Sequence, residues 1–256
     1  MDALLSFMSF PLNLIFAAIW VIVVVWLWND RRESSVVRFF LSPAATISSL
    51  LIFLAVSLFI GLSGMRWLTG TIFFAAVLFY LMTVLLFVLI RGWRKAGTGG
   101  VKKIRWRFTC MHAGLLLALS SAFWGTPDSR TMRLQLSEGI PTDQAYYING
   151  RGCRLAYEIE LEDFIMEMDG QGMPSSYEAH LLVDGEKACV RVNHPYSRSL
   201  AEDVYLTGFE YAESQSAVSC VVQVVREPWK YPAMAGIIMM LAGAFMLFLK
   251  GPKSKS

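Results

Sequence analysis

Five stretches of this chain carry no charged residue and are long enough to cross a bilayer. Ala3–Asn29 and Phe39–Met65 run 27 residues each, Trp67–Ile90 runs 24, Phe108–Pro127 20 and Tyr231–Leu249 19. Crossing about 30 Å of hydrocarbon takes roughly 20 apolar residues in a helix. A helix also satisfies its own backbone polar groups where no water can reach them. The expectation is an α-helical integral membrane protein of about five spans. The composition agrees: 55% of the 256 residues are hydrophobic and 17% charged, against about 45–50% and about 25% in soluble domains. Four cysteines are too few for a disulfide-built secreted module, and the apolar content excludes a disordered chain. The first stretch differs from a signal peptide. It opens on Asp2 in place of a basic segment, its apolar run is too long, and no small-x-small cleavage site follows.

The basic residues set an orientation, because loops that stay in the cytoplasm carry an excess of Lys and Arg. Arg31, Arg32 and Arg38 follow the first span. Arg91, Arg94, Lys95, Lys102, Lys103, Arg105 and Arg107 follow the third without an acid among them, and Lys250, Lys253 and Lys255 follow the last. The turn between the second and third spans holds only Arg66, and residues 128–230 hold 9 basic and 17 acidic residues. This alternation predicts an outer N-terminus, an extracytoplasmic segment between the last two helices, and a cytoplasmic C-terminus. The cluster at 91–107 reads as a topology determinant and a contact to lipid headgroups of the bilayer, with no nucleic-acid role.

Residues 128–230 change character. Short runs at Arg133–Leu136, Ala145–Ile148, Arg154–Leu161, Glu178–Val183, Ala188–Val192, Val204–Tyr211 and Val218–Val225 are rich in Val, Tyr and Leu, as strands are. Asn149-Gly150, Asp169-Gly170-Gln171-Gly172, Asp184-Gly185 and the Pro195 region supply turns. Asp184-Gly185 is the clearest hairpin, since a type I′ turn needs positive φ at both central residues. The organisation predicted is a four-helix membrane region over 1–127, an all-β domain of about seven strands over 128–230 folded as a sandwich or partial barrel, a last transmembrane helix over 231–250, and a basic tail over 251–256.

Little in this sequence carries chemistry. It has no nucleotide-binding glycine fingerprint, no GxSxG, no HExxH, no paired Cys/His metal spacing and no CxxCH, so no catalytic residue is assigned. Cys153, Cys189 and Cys220 lie in the β domain. An oxidising compartment permits a disulfide, for which Cys189 and Cys220 are the candidates. An odd count leaves one thiol over, and each cysteine also reads as a small buried hydrophobe. His180 and His194 read as ordinary domain residues. His112 lies within the fourth span, where ionisable side chains are rare and face protein or a functional cavity. Its neutral imidazole suits either an interhelical hydrogen bond or an axial bond to haem iron, the one metal considered for it.

The order of features, a histidine-bearing helix, a β domain and a final helix, resembles the ResB (CcsB) family of cytochrome c biogenesis proteins. The segments that carry the resemblance are Leu161-Glu162-Asp163-Phe164 with the glycine turn after it, Val192-Asn193-His194-Pro195 followed by Val204-Tyr205-Leu206, and Glu227-Pro228 leading into a helix that ends Phe248-Leu249-Lys250. It covers about Leu41–Gly251, so the first span reads as an addition to a four-span core. Three positions depart from the family pattern: His194, Tyr196 and the Glu227-Pro228-Trp229 run.

The resemblance implies a haem-handling subunit in a bacterial cytoplasmic membrane. It implies a CcsA-type membrane partner, apocytochrome c as the acceptor, and transient haem b held axially by His112. Such a chain would be the non-autonomous part of a holocytochrome c synthase (haem lyase) complex. The competing reading is a non-enzymatic, membrane-anchored scaffold or receptor whose β domain binds a partner. A transporter subunit is disfavoured, since the spans show no repeat and no intramembrane carboxylate pair.

Overall fold

The structure is a computed structural model and describes residues 8–95, 106–168, 174–211 and 218–249. The start of the first apolar stretch, Lys102, Lys103 and Arg105 of the basic cluster, the Asp169–Gly172 turn and the basic tail lie outside the described residues. The chain divides into two compact units, residues 1–127 with 229–256, and residues 128–228.

The first unit holds the helices α1 (Leu12–Asp30), α2 (Ser35–Phe40), α3 (Pro43–Ser63), α4 (Ile72–Lys95), α5 (Trp106–Gly125) and α6 (Lys230–Leu249). Four are long and apolar enough to cross a membrane, and α6 adds a further apolar helix. At 1.5 Å per residue the 20 residues of α6 extend about 30 Å. The protein is a multi-pass membrane protein, as the charge-free stretches predict.

Helix ends differ from those stretches for local reasons. The Ser42 hydroxyl accepts from Ala45 N at 3.2 Å and Pro43 occupies the first helical turn, so α3 starts there rather than at Phe39. Gly64 ends it in the left-handed conformation at φ 69°. Residues Arg66–Gly70 form a 3₁₀ turn, and the Thr71 hydroxyl accepts from Phe74 N at 3.3 Å where α4 begins.

Trp20, Val24 and Trp28 of α1, Val37 of α2, Met82, Leu86 and Phe87 of α4 and Trp124 of α5 form one buried cluster. Half of the α4 segment is buried against 11% of α3, so α4 is the centre of this unit and α3 lies at its periphery. Asn13, fully buried, donates to the Trp124 carbonyl at 2.8 Å and thereby sets the start of α1 beside the end of α5. Arg91 donates to the Leu41 carbonyl at 3.0 Å and ties the end of α4 to the α2–α3 corner.

The second unit is one antiparallel sheet of eight strands: β1 (Arg130–Ser137), β2 (Thr142–Tyr147), β3 (Gly152–Met168), β4 (Pro174–Val183), β5 (Glu186–Arg191), β6 (Tyr196–Ser199), β7 (Glu202–Tyr211) and β8 (Val218–Arg226). Their order is β5-β4-β3-β2-β1-β8-β7-β6. The two edges, β5 and β6, are consecutive in sequence. The turn between them is closed by mutual backbone bonds between Arg191 and His194 at 3.0 and 3.1 Å. Arg198 of β6 reaches Asp184 beside β5 at 3.1 Å, so the sheet rolls its edges together as a partial barrel.

Alternate residues fill the interior, among them Leu134, Leu136, Ile159, Leu161, Leu181, Val190, Val222 and Val224. Asp184 and Gly185 take φ 55° and 80°, as the type I′ hairpin requires. The strand beyond the seven expected is β6. Its Tyr-Ser-Arg-Ser sequence has no apolar alternation, and it is set by pairing with β7. Near the seam the Tyr157 hydroxyl donates to Glu202 at 2.7 Å, and the Arg198 guanidinium lies 3.8 Å above the Tyr157 ring. Burial, then the Glu202 hydrogen bond and charge, push the Tyr157 phenol well above its ordinary range.

Candidate functional site

His112 stands in the second turn of α5. Its Nδ1 lies 2.9 Å from the carbonyl oxygen of Phe108, and its ring stacks on the Phe108 ring at 4.1 Å. A carbonyl only accepts, so Nδ1 is the donor, which in a neutral imidazole places the lone pair on Nε2. A ring-nitrogen bond to a main-chain carbonyl is the usual way a ligating histidine is fixed in one tautomer. The start of α5 is itself braced by α4. Gly92 leaves room for the Phe108 ring, and Trp93 Nε1 donates to the Thr109 hydroxyl at 3.1 Å.

His112 lines a groove of about 350 Å³ between α5 and α6, with Met111 and Leu115 on its own helix and Ile237, Met240, Leu241 and Ala244 opposite. It is the one polar side chain among these lining residues. The helices meet backbone to backbone here. A Cβ on Gly114 would sit 2.6 Å from the Gly236 carbonyl oxygen, one on Gly236 2.6 Å from Ala118 N, and one on Gly243 2.9 Å from Met111 N. Gly114 and Ala118 are a small-xxx-small pair, the pattern that lets helices approach closely in lipid. The lining thus offers one nitrogen donor in an apolar wall, with the thioethers of Met111 and Met240 as soft donors beside it. These residues fit haem in polarity and donor type.

The other sequence-predicted residues belong to the β unit. Cys189 is exposed on β5, with its thiol 2.8 Å from Glu178. Cys220 is buried on β8 in the barrel core, where burial pushes its thiol up to about 11. Strands β5 and β8 are not neighbours, and all four cysteines are free thiols, so the structure does not bring Cys189 and Cys220 together. Cys153 packs on β3 against the core. Sequence reasoning missed the α6 wall of the groove. It also missed the meeting of His180 with Glu178 and Cys189, whose ligand atoms lie within 4.8 Å of one another.

Residues 103–223, which include His112 and nearly all of the β unit, match the ResB-like family. That segment is similar to the ResB-like family. No curated protein matches it. Among solved structures, one titled "Cytochrome c Heme Lyase CcmF" aligns with 93% of this chain at 13% identity and a TM-score of 0.40. The chain spans 45% of that structure's length.

Proposed function

We propose that this ResB-like chain acts in cytochrome c biogenesis as a subunit that receives haem in the membrane and supports its attachment to apocytochrome c. The observation that supports this most is His112, its Nδ1 committed to the Phe108 carbonyl, as the one polar side chain in the lining of an otherwise apolar groove. Haem is the cargo here. Its iron takes an axial nitrogen, and its vinyl groups are the sites at which cysteine thiols of the acceptor form thioethers.

Each part of the chain has a defined task in that reading. His112 supplies the axial nitrogen, and the Phe108 stack holds the imidazole plane. Leu115, Ile237 and Leu241 exclude water from the bound face. The Gly114–Gly236 crossing sets the groove width, which a side chain at either position would change. A porphyrin lodged in a groove open along one side leaves its outer face to a partner, for which a CcsA-type haem-handling protein is the proposed occupant. The β unit, net acidic, is assigned to the extracytoplasmic side, where the incoming apocytochrome is found. Among the described residues the groove lining holds no second ionisable side chain beside His112, and synthase activity is proposed for the complex with the partner.

The test is covalent haem on a reporter apocytochrome c, in cells carrying the partner with either the wild-type chain or His112→Ala. Accumulation with the wild type and loss with the variant, at equal chain levels in the membrane, is the expected result. Equal accumulation with both chains would leave the scaffold reading in its place.

A further inference from the structure

The outer face of the β4–β5 hairpin carries three ligating side chains that the haem reading does not use. The two-residue turn at Asp184–Gly185 fixes the register, which sets His180 opposite Cys189 and Glu178 opposite Arg191. Ala179, Leu181, Ala188 and Val190 point into the barrel, so the residues between them share the outer face. Glu178 Oε1 lies 2.8 Å from the Cys189 sulfur and 3.2 Å from His180 Nε2. That nitrogen is itself buried and has no hydrogen-bond partner among the described residues. The Cys189 thiol donates to Glu178 Oε1, whereas the imidazole nitrogen that reaches the same oxygen is left without a hydrogen-bond partner among the described residues, an arrangement in which a cation shared by the three would satisfy that nitrogen.

We propose that Glu178, His180 and Cys189 form a binding site for a borderline transition-metal dication, with Zn²⁺ the ion whose preferences the set matches. Thiolate sulfur, imidazole nitrogen and carboxylate oxygen are each zinc ligands, and a set with sulfur and nitrogen is too soft for Mg²⁺ or Ca²⁺. At zinc bond lengths of about 2.0–2.3 Å and tetrahedral angles, paired ligand atoms stand roughly 3.4–3.6 Å apart. The His180–Glu178 distance is near that value already. The Cys189–Glu178 distance opens when the thiol proton leaves to solvent and the sulfur binds metal as thiolate.

Water fills the fourth position, since Cys189 is exposed. Arg191 Nε holds Glu178 Oε2 at 2.7 Å, which aims Oε1 at the site but adds a like charge to a bound cation. Asp163, opposite His180 on β3, supplies a compensating negative charge on the same face. Lys187, the neighbouring cation on β5, is drawn to Glu162 at 3.3 Å. The site is independent of His112 and of haem.

The experiment uses the full chain in detergent, stripped of metal with a chelator, and titrates it with Zn²⁺ and separately with Co²⁺. Expected are one bound ion, a thiolate-to-cobalt charge-transfer band, and protection of Cys189 from a maleimide by Zn²⁺ but not by Mg²⁺. His180→Ala and Cys189→Ser should each weaken binding by more than the roughly 10–100-fold that loss of an outer-shell partner costs, whereas Cys153→Ser should leave it unchanged. The maleimide arm needs no variant, so it decides the matter even if a substitution disturbs folding. Alkylation of Cys189 at the same rate with and without Zn²⁺, or a cobalt band that persists in Cys189→Ser, would overturn the proposal.

Discussion

Replacing Gly114 with alanine puts one methyl group where α5 and α6 touch. The added carbon would lie 2.6 Å from the Gly236 carbonyl oxygen, 2.8 Å from Met240 N and 3.0 Å from Met239 Cβ. Two of these three atoms are backbone, so no rotamer change makes room. To restore ordinary contact the helices must separate by roughly 0.8 Å, and overpacking of this kind costs about 1–3 kcal/mol. Gly61 of α3 is the internal control, because a Cβ there meets nothing within 4 Å. Alanine at that position gains helix propensity of about 1 kcal/mol.

Thermal unfolding in detergent, followed by tryptophan fluorescence, should place Gly114→Ala below the wild type by roughly 2–10 °C, with Gly61→Ala at or above it. Separation of the helices also widens the groove wall opposite His112, so Gly114→Ala should retain less haem than the wild type. A Gly114→Ala protein as stable as Gly61→Ala would show that the α5–α6 crossing is not the close backbone contact on which the groove depends.

Two further outcomes are expected in the β unit. Tyr157→Phe removes the donor to Glu202, a carboxylate 8% exposed. Leaving such a group short of a partner costs about 1–3 kcal/mol, to be read by near-ultraviolet circular dichroism during urea unfolding; an unchanged midpoint would count against a stabilised seam. Raising the pH should also weaken this unit. The Cys220 thiol is held at about 11 against an ordinary value of 9.0, so the folded state binds its proton more tightly than the unfolded state does. The resulting stability is complete below pH 9 and lost as pH climbs through 11, by roughly 2–3 kcal/mol. Cys220→Ala should lose that part of the pH dependence, and an alkaline limb identical to the wild type would refute the assignment to Cys220.

The membrane region was legible because exclusion of charge from lipid is a strong, contiguous signal. Its boundaries were less so, since Ser42-Pro43 and Thr71 set helix starts through capping bonds inside runs that are uniformly apolar. The β strands showed where alternation is clean, as in β1 with Met132, Leu134 and Leu136 inward. Strand β6 escaped because it is a short polar edge defined by its partner. The full length of β3 was hidden by the bulge between Leu161 and Asp163, which shifts the alternation part-way along.

His112 stood out as an ionisable residue within an apolar run. The wall that faces it belongs to α6, on the far side of the β unit in sequence, and helix pairing leaves no period in the chain. The Glu178–His180–Cys189 cluster was readable in principle. Once Asp184-Gly185 is taken as a two-residue turn, the register follows by counting outward from it.

The central claim is that His112 gives an axial bond to haem, and absorption spectroscopy of the purified complex tests it most directly. The chain, co-expressed with a CcsA-type partner, should copurify with haem and show a Soret band. His112→Gly, assembled to the same extent, should lose that band or shift it, and added imidazole, filling the space left by the side chain, should restore it. Equal haem and identical spectra in wild type and variant, or no haem in either, would contradict the account.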